Sequence, residues 1–253
     1  MMKKHRSENG YTLIELVLVI VIIGILASVG LRSLTAVNQT ARFEETRQEM
    51  DRLARAIAGD PSLTSGGARS NFGYVGDVGG LPANLDALAS NPGGWSTWKG
   101  PYINNEFTSG GGSTDYKYDA WGRAYSYTGG ITLSSTGGGT TLTRAVAASA
   151  ADLLYNRVRL EVTDLDNTPP GTTFDDSVTF ALTVPNGVGG LATRTRRPNP
   201  DGTATFDSVP IGIHSLRIVY QPTLDTLIRR VVVEPGSDSY MDVSLPENIW
   251  SGD

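Results

Sequence analysis

Catalysis needs side chains that can exchange protons, attack a substrate or hold a cation, and this chain of 253 residues is short of several of them. It has no Cys and two His, His5 and His214. Disulfides and thiol nucleophiles are thereby excluded. A histidine metal cluster is excluded too, because even a catalytic zinc takes three protein ligands. A serine mechanism would have to join His214 to a Ser and an acid, and no nucleophile-elbow motif accompanies it. A paired-carboxylate hydrolase stays open on residue types alone. Asp164-Leu165-Asp166-Asn167 and Asp175-Asp176 lack the Gly and terminal Glu of a calcium loop and read as hairpin turns. No Gly-x-x-x-x-Gly-Lys phosphate loop is present, so any mechanical work must come from a partner. The carboxylate most out of place is Glu15, the one charge in an otherwise apolar run over 11–31. An acid inside a bilayer is costly, which makes it a functional residue by default; an acid near the end of a span is also tolerated at the interface.

The element that positions Glu15 is the apolar run itself, long enough to cross a bilayer as a helix. Lys3, Lys4 and Arg6 precede it and would keep the N-terminus in the cytoplasm. A secretory signal peptide needs a shorter apolar region and an Ala-x-Ala-like site, which Ile25-Leu26-Ala27-Ser28 matches poorly. Gly10 instead stands between the basic residues and the apolar run. Beyond the run, Met50, Leu53, Ala54 and Ile57 fall at i, i+3, i+4 and i+7, one apolar stripe of a continuing helix. Gly59-Asp60-Pro61 stops it. Gly24 and Gly30 are weaker points along it, costing up to about 1 kcal/mol each relative to Ala.

The run Gly10-Tyr11-Thr12-Leu13-Ile14-Glu15-Leu16, followed by an apolar helix, resembles the prepilin signature. The resemblance implies cleavage between Gly10 and Tyr11 by a membrane peptidase, N-methylation of Tyr11, and pairing of the Tyr11 amine with Glu15 of a neighbouring subunit. A buried charge deprived of its partner is strongly destabilising, so Glu15 is expected to be required for assembly and dispensable for folding. Two departures stand out: Tyr11 replaces the usual Phe, and Arg32 occupies a position where the family commonly has Pro.

Residues 61–101 are rich in Gly, Ser and Asn, with a short helix predicted around 82–89. The aromatic residues Trp95, Trp98, Tyr102, Trp121, Tyr125 and Tyr127 read as a small core, with a turn at Trp121-Gly122 leading into a strand at 125–127. Gly80-Leu81-Pro82, Trp98-Lys99-Gly100-Pro101-Tyr102-Ile103 and Asp119-Ala120-Trp121-Gly122 resemble the major pseudopilin of type II secretion, over roughly residues 10 to 155. That resemblance implies a calcium-binding loop. The corresponding stretch, 128–144, has Ser134 and Ser135 where acids are wanted, and no carboxylate occurs between Asp119 and Asp152. The expectation is therefore no cofactor and no metal ligands.

From about residue 153 the pattern changes to apolar–polar alternation at 158–163, 177–184, 203–206, 214–220, 227–233 and 239–245, separated by Pro, Gly, Asn and Asp. Such strands suggest a small β-sandwich. The stretch from Pro200 to Ile218 is similar to carboxypeptidase regulatory-like, transthyretin-like modules, a resemblance that speaks to fold only. His214 reads as a solvent-facing or core-edge residue. Arg194-Thr195-Arg196-Arg197 reads as a solvated loop.

The fold class is therefore α+β: a cleaved leader (1–10), a pilin helix (11–59) with its membrane part at 11–31, a pseudopilin-like head (60–152) and a β-sandwich module (153–253). The formal charge of −5 and a pI of about 5.1 speak against nucleic acid. The reading is a non-enzymatic subunit of a type II secretion pseudopilus. Its partners would be copies of itself in a helical filament, minor pseudopilins, prepilin peptidase, an inner-membrane assembly platform with its ATPase, and lipid before assembly. It would sit in the bacterial inner membrane with its globular part in the periplasm, and after assembly in a filament there or at the cell surface. Alternatives are a type IV pilin or minor pilin of a surface fibre with an adhesive β module, and a membrane-anchored hydrolase.

Overall fold

The computed structural model describes residues 11–103 and 115–250, and leaves the side chains of 29–34 undescribed. The predicted leader with Gly10 lies outside the described residues. The chain divides into two compact units, Met1–Glu45 and Thr46–Asp253.

The first unit is helical. Helix α1 (Leu13–Ala58) begins in it and ends in the second unit. No Pro interrupts the chain before Pro61, so nothing removes a backbone donor along its length. Every side chain from Tyr11 to Ser28 is exposed. A helix that is apolar on all sides is ordinarily buried against something. Among the described residues no helix is long and apolar enough to cross a membrane. The segment expected to do so, 11–31, runs into the undescribed side chains at its C-terminal end.

The second unit starts on the last turns of α1. Met50, Leu53, Ala54 and Ile57 are buried, as the stripe predicts. Gly59, at φ +82, ends the helix where a Cβ would lie 2.3 Å from the Asn71 carbonyl oxygen. Around this stripe fold the hairpin β1 (Thr64–Ser65) and β2 (Ala68–Arg69), the short helices α2 (Gly73–Val78) and α3 (Asp86–Ala89), the antiparallel pair β3 (Thr132–Ser135) and β4 (Leu142–Ala145), and α4 (Ala150–Leu154). Tyr74, Val75, Leu88, Leu133 and Leu153 complete one apolar core with the stripe. The helix predicted at 82–89 is thus a single turn. The strand predicted at 125–127 is an isolated bridge, Ser126 to Ser134, although Tyr125 and Tyr127 do face the core together.

The C-terminal region carries β5 (Asn156–Thr163), a one-turn helix α5 (Gly171–Phe174), β6 (Val178–Pro185), β7 (Leu191–Arg196), β8 (Thr203–Val209), β9 (Gly212–Tyr220), β10 (Asp225–Val233) and β11 (Asp238–Ser244). They form a sheet of order β10-β9-β6-β7 and a second of order β11-β5-β8. The last strand closes in parallel on the first, β11 on β5. Inward residues of both sheets, among them Val158, Leu160, Phe180, Leu182, Phe206, Leu216, Val231 and Val243, share one apolar cluster. Trp250 joins it, donating its indole N–H to Ser177 Oγ. Head and C-terminal strands belong to the same compact unit: Ile211 enters the head core, and Gly187 N donates to Val78 O at 2.8 Å.

One reading is corrected here and another is narrowed. The Arg194–Arg197 run is not a solvated loop: residues 191–196 form edge strand β7, where Arg194 Nη1 donates to the carbonyls of Asp207 (2.9 Å) and Ser208 (3.0 Å) on the other sheet. Of the two positions expected for His214, solvent-facing or core-edge, its 3% exposure excludes the first.

Candidate assembly segment and its head

The start of α1 is built by Thr12 and Glu15. Thr12 precedes the first helical residue, and its backbone N–H and hydroxyl both donate to Glu15 Oε2, at 3.1 and 3.0 Å. Glu15 N donates back to Thr12 Oγ1 at 3.4 Å. This reciprocal arrangement is a capping box, which satisfies backbone donors that a helix start leaves unpaired. The signal Thr-x-x-Glu was present in the sequence, yet sequence reasoning gave Glu15 an intermolecular partner and did not notice the internal one. Tyr11, 85% exposed, stands immediately before the cap.

In the second unit α1 presents polar groups to the head as well as its apolar stripe. Ala120 N donates to Thr46 Oγ1 at 3.2 Å, and Tyr125 Oη donates to Glu49 Oε2 at 2.7 Å. Arg144 of β4 meets Asp51 at 2.6 Å. Glu49, only 3% exposed, was missed by sequence reasoning; the signal was its position one turn before Leu53 of the stripe.

The aromatic motifs are packing elements, as expected. Trp98 and Tyr102 meet edge to face at 5.6 Å, and Trp98 Nε1 donates to the Ala87 carbonyl. Tyr102 Oη donates to Asp77, whose carboxylate also pairs with Lys99 at 3.0 Å, and burial pushes the Tyr102 phenol up. A cavity of about 610 Å³ lies beside this cluster. Its acids, Asp60 and Asp77, are each ion-paired, Asp60 with Arg55 at 3.8 Å. His214 Nε2 lies 2.7 Å from the Pro210 carbonyl oxygen, and burial, with Arg194 nearby, lowers its pKa. Asp164 acts as a turn hub, its Oδ1 accepting from Asp166 N (3.2 Å) and Thr168 N (2.9 Å). Among the described residues no group of three or more His, Asp or Glu is placed to share a metal ion.

Comparison with known proteins places these features. Residues 5–31 match the family model of the prokaryotic N-terminal methylation motif. The type II secretion system core protein G of Xanthomonas campestris pv. campestris is 36% identical over 97 residues, covering 38% of this chain. The chain spans 57% of that relative's length. A solved chain, the Bacillus anthracis TIE protein, aligns with 43% of this chain and 18% of its own at 14% identity and a TM-score of 0.32, too slight a likeness to bear on fold or function. The motif and the protein G relative support a prepilin-type chain with pseudopilin and type II secretion features.

Proposed function

We propose that this chain is a structural subunit of a type II secretion pseudopilus, cleaved between Gly10 and Tyr11, N-methylated on Tyr11, and assembled through α1. The observation that carries the proposal is the methylation motif at the head of a helix whose apolar side chains are exposed on every side from Leu13 to Leu26. Such a surface must be covered: by lipid while the subunit waits in the inner membrane, and by the helices of neighbouring subunits in the filament. Assembly then asks Glu15 to turn from its own cap to the Tyr11 amine of a neighbour. The head, fixed to α1 by the stripe and by Glu49 and Thr46, is carried outward in the periplasm. The work of extraction falls to an inner-membrane platform and its ATPase, after processing by prepilin peptidase, and minor pseudopilins complete the filament. No catalytic role is assigned: His214 is engaged with a backbone carbonyl, and Asp60 and Asp77 of the cavity beside Tyr102 are ion-paired.

The strands after residue 156 favour a second reading, a type IV pilin or minor pilin of a surface fibre in which the β-rich region is an exposed adhesive module. Filament imaging in cells with and without the gene, alongside a secretion assay, separates the two. Loss of secretion on deletion supports the pseudopilus, and loss of a surface fibre with secretion intact supports the pilin. Cells unchanged in both respects would contradict either.

A further inference from the structure

The resemblance of the head to calcium-binding pseudopilins raises the question of what fixes the loop between β3 and β4. We infer that Asp119 holds this loop in the place of a cation, so that the head reaches and keeps its fold without calcium. Asp119 is completely buried. Its Oδ1 accepts from Trp121 N (3.0 Å) and Arg123 N (2.9 Å), and its Oδ2 accepts from Ser135 Oγ (2.6 Å) and Gly137 N (3.1 Å). An ionised carboxylate offers about four acceptor sites, and all are spent within the protein. The sign of the arrangement decides the matter. A calcium ion gathers 6–8 oxygen acceptors, whereas here backbone N–H groups and a hydroxyl converge as donors on one anion. Ser135, standing where an acid is wanted, supplies a proton to the site. Gly137 leaves the room the carboxylate occupies, since a Cβ there would lie 2.3 Å from Asp119 Oδ2. No other carboxylate lies between Asp119 and Asp152, and Asp152 is engaged in the Ser149 capping box of α4. Among the described residues, those around this loop do not fit a calcium site.

The inference concerns the head alone and stands or falls apart from the filament reading. The test is thermal unfolding of the full chain in detergent in millimolar calcium, magnesium or EDTA, with hydrogen exchange of peptides covering 132–144. The melting temperature and exchange rates are expected to be the same in all three. Ser135→Ala, which removes one donor without adding bulk, is expected to lower the melting temperature by a few degrees and speed exchange across the loop, with no rescue by calcium. Asp119→Asn should lower it further or prevent folding. A calcium-dependent rise in melting temperature, calcium-slowed exchange in the wild type, or an unaltered loop in Ser135→Ala would overturn the inference.

Discussion

Within the single chain Glu15 is partnered by its own Thr12; in the proposed filament it would turn to a neighbour's N-terminal amine. Replacing it by Val removes both. The head, fixed by residues from Thr46 onward, keeps its core, so Glu15→Val is expected to give a processed, membrane-held subunit at normal levels and no filaments; immunoblotting of membrane fractions beside filament shearing checks it. Glu49 is a different kind of acid, buried and ligated by Tyr125. Tyr125→Phe strips a charge-assisted donor from it and should cost roughly 1–3 kcal/mol, read from denaturant unfolding of the full chain. His214 makes stability depend on pH. Burial and Arg194 depress its pKa below the ordinary 6.5, so the folded state binds fewer protons than the unfolded. Its neutral form fits fully above 6.5, and stability drains away as the pH falls through that value towards the folded pKa. Unfolding midpoints of wild type and His214→Gln across that range should converge on the acid side as the variant loses the slope. Of these residues, sequence reasoning found Glu15 by its incongruity. Glu49 escaped it, and Asp119 was seen only as a motif residue, because burial of a carboxylate is decided by donors from distant loops, which no local spacing announces.

Elements were readable in proportion to their length. Six C-terminal strands follow from alternation, within two or three residues at each end, and the apolar stripe of α1 is where its period places it. Edge strand β7 was missed because its Thr and Arg residues lack an apolar alternation; it is held by its antiparallel ladder with β6, with Arg194 also reaching across to β8. Helices α2 and α4 are too short to show a period, although Ser149 and Asp152 spell the cap of α4. The end of α1 was correctly read at Gly59, and the structure supplies the reason beyond chain breaking: positive φ and a backbone carbonyl where a Cβ would go. Gly59→Ala should therefore destabilise the head by roughly 1–3 kcal/mol, more than a helix-interior exchange would, seen as a lowered melting temperature in a thermal scan.

At the scale of the two units, the first carries apolar side chains that are exposed from Leu13 to Leu26, and in the second the head and C-terminal strands share backbone contacts and a core residue. The boundary proposed between 152 and 153 is thus crossed by Ile211 and by the Gly187–Val78 hydrogen bond. Removal of the proposed leader would take away Lys3, Lys4 and Arg6 against the single acid Glu8, and leave the remaining chain more acidic than the formal −5. The account turns on where that leader is cut, because only cleavage that spares the helix yields a subunit able to assemble by it. Mass spectrometry of the N-terminal peptide of the protein recovered from membranes measures this directly. A peptide beginning at Tyr11 and carrying one methyl group is the predicted result. An uncut Met1 terminus, or cleavage beyond the apolar run near Ala27, would contradict the account.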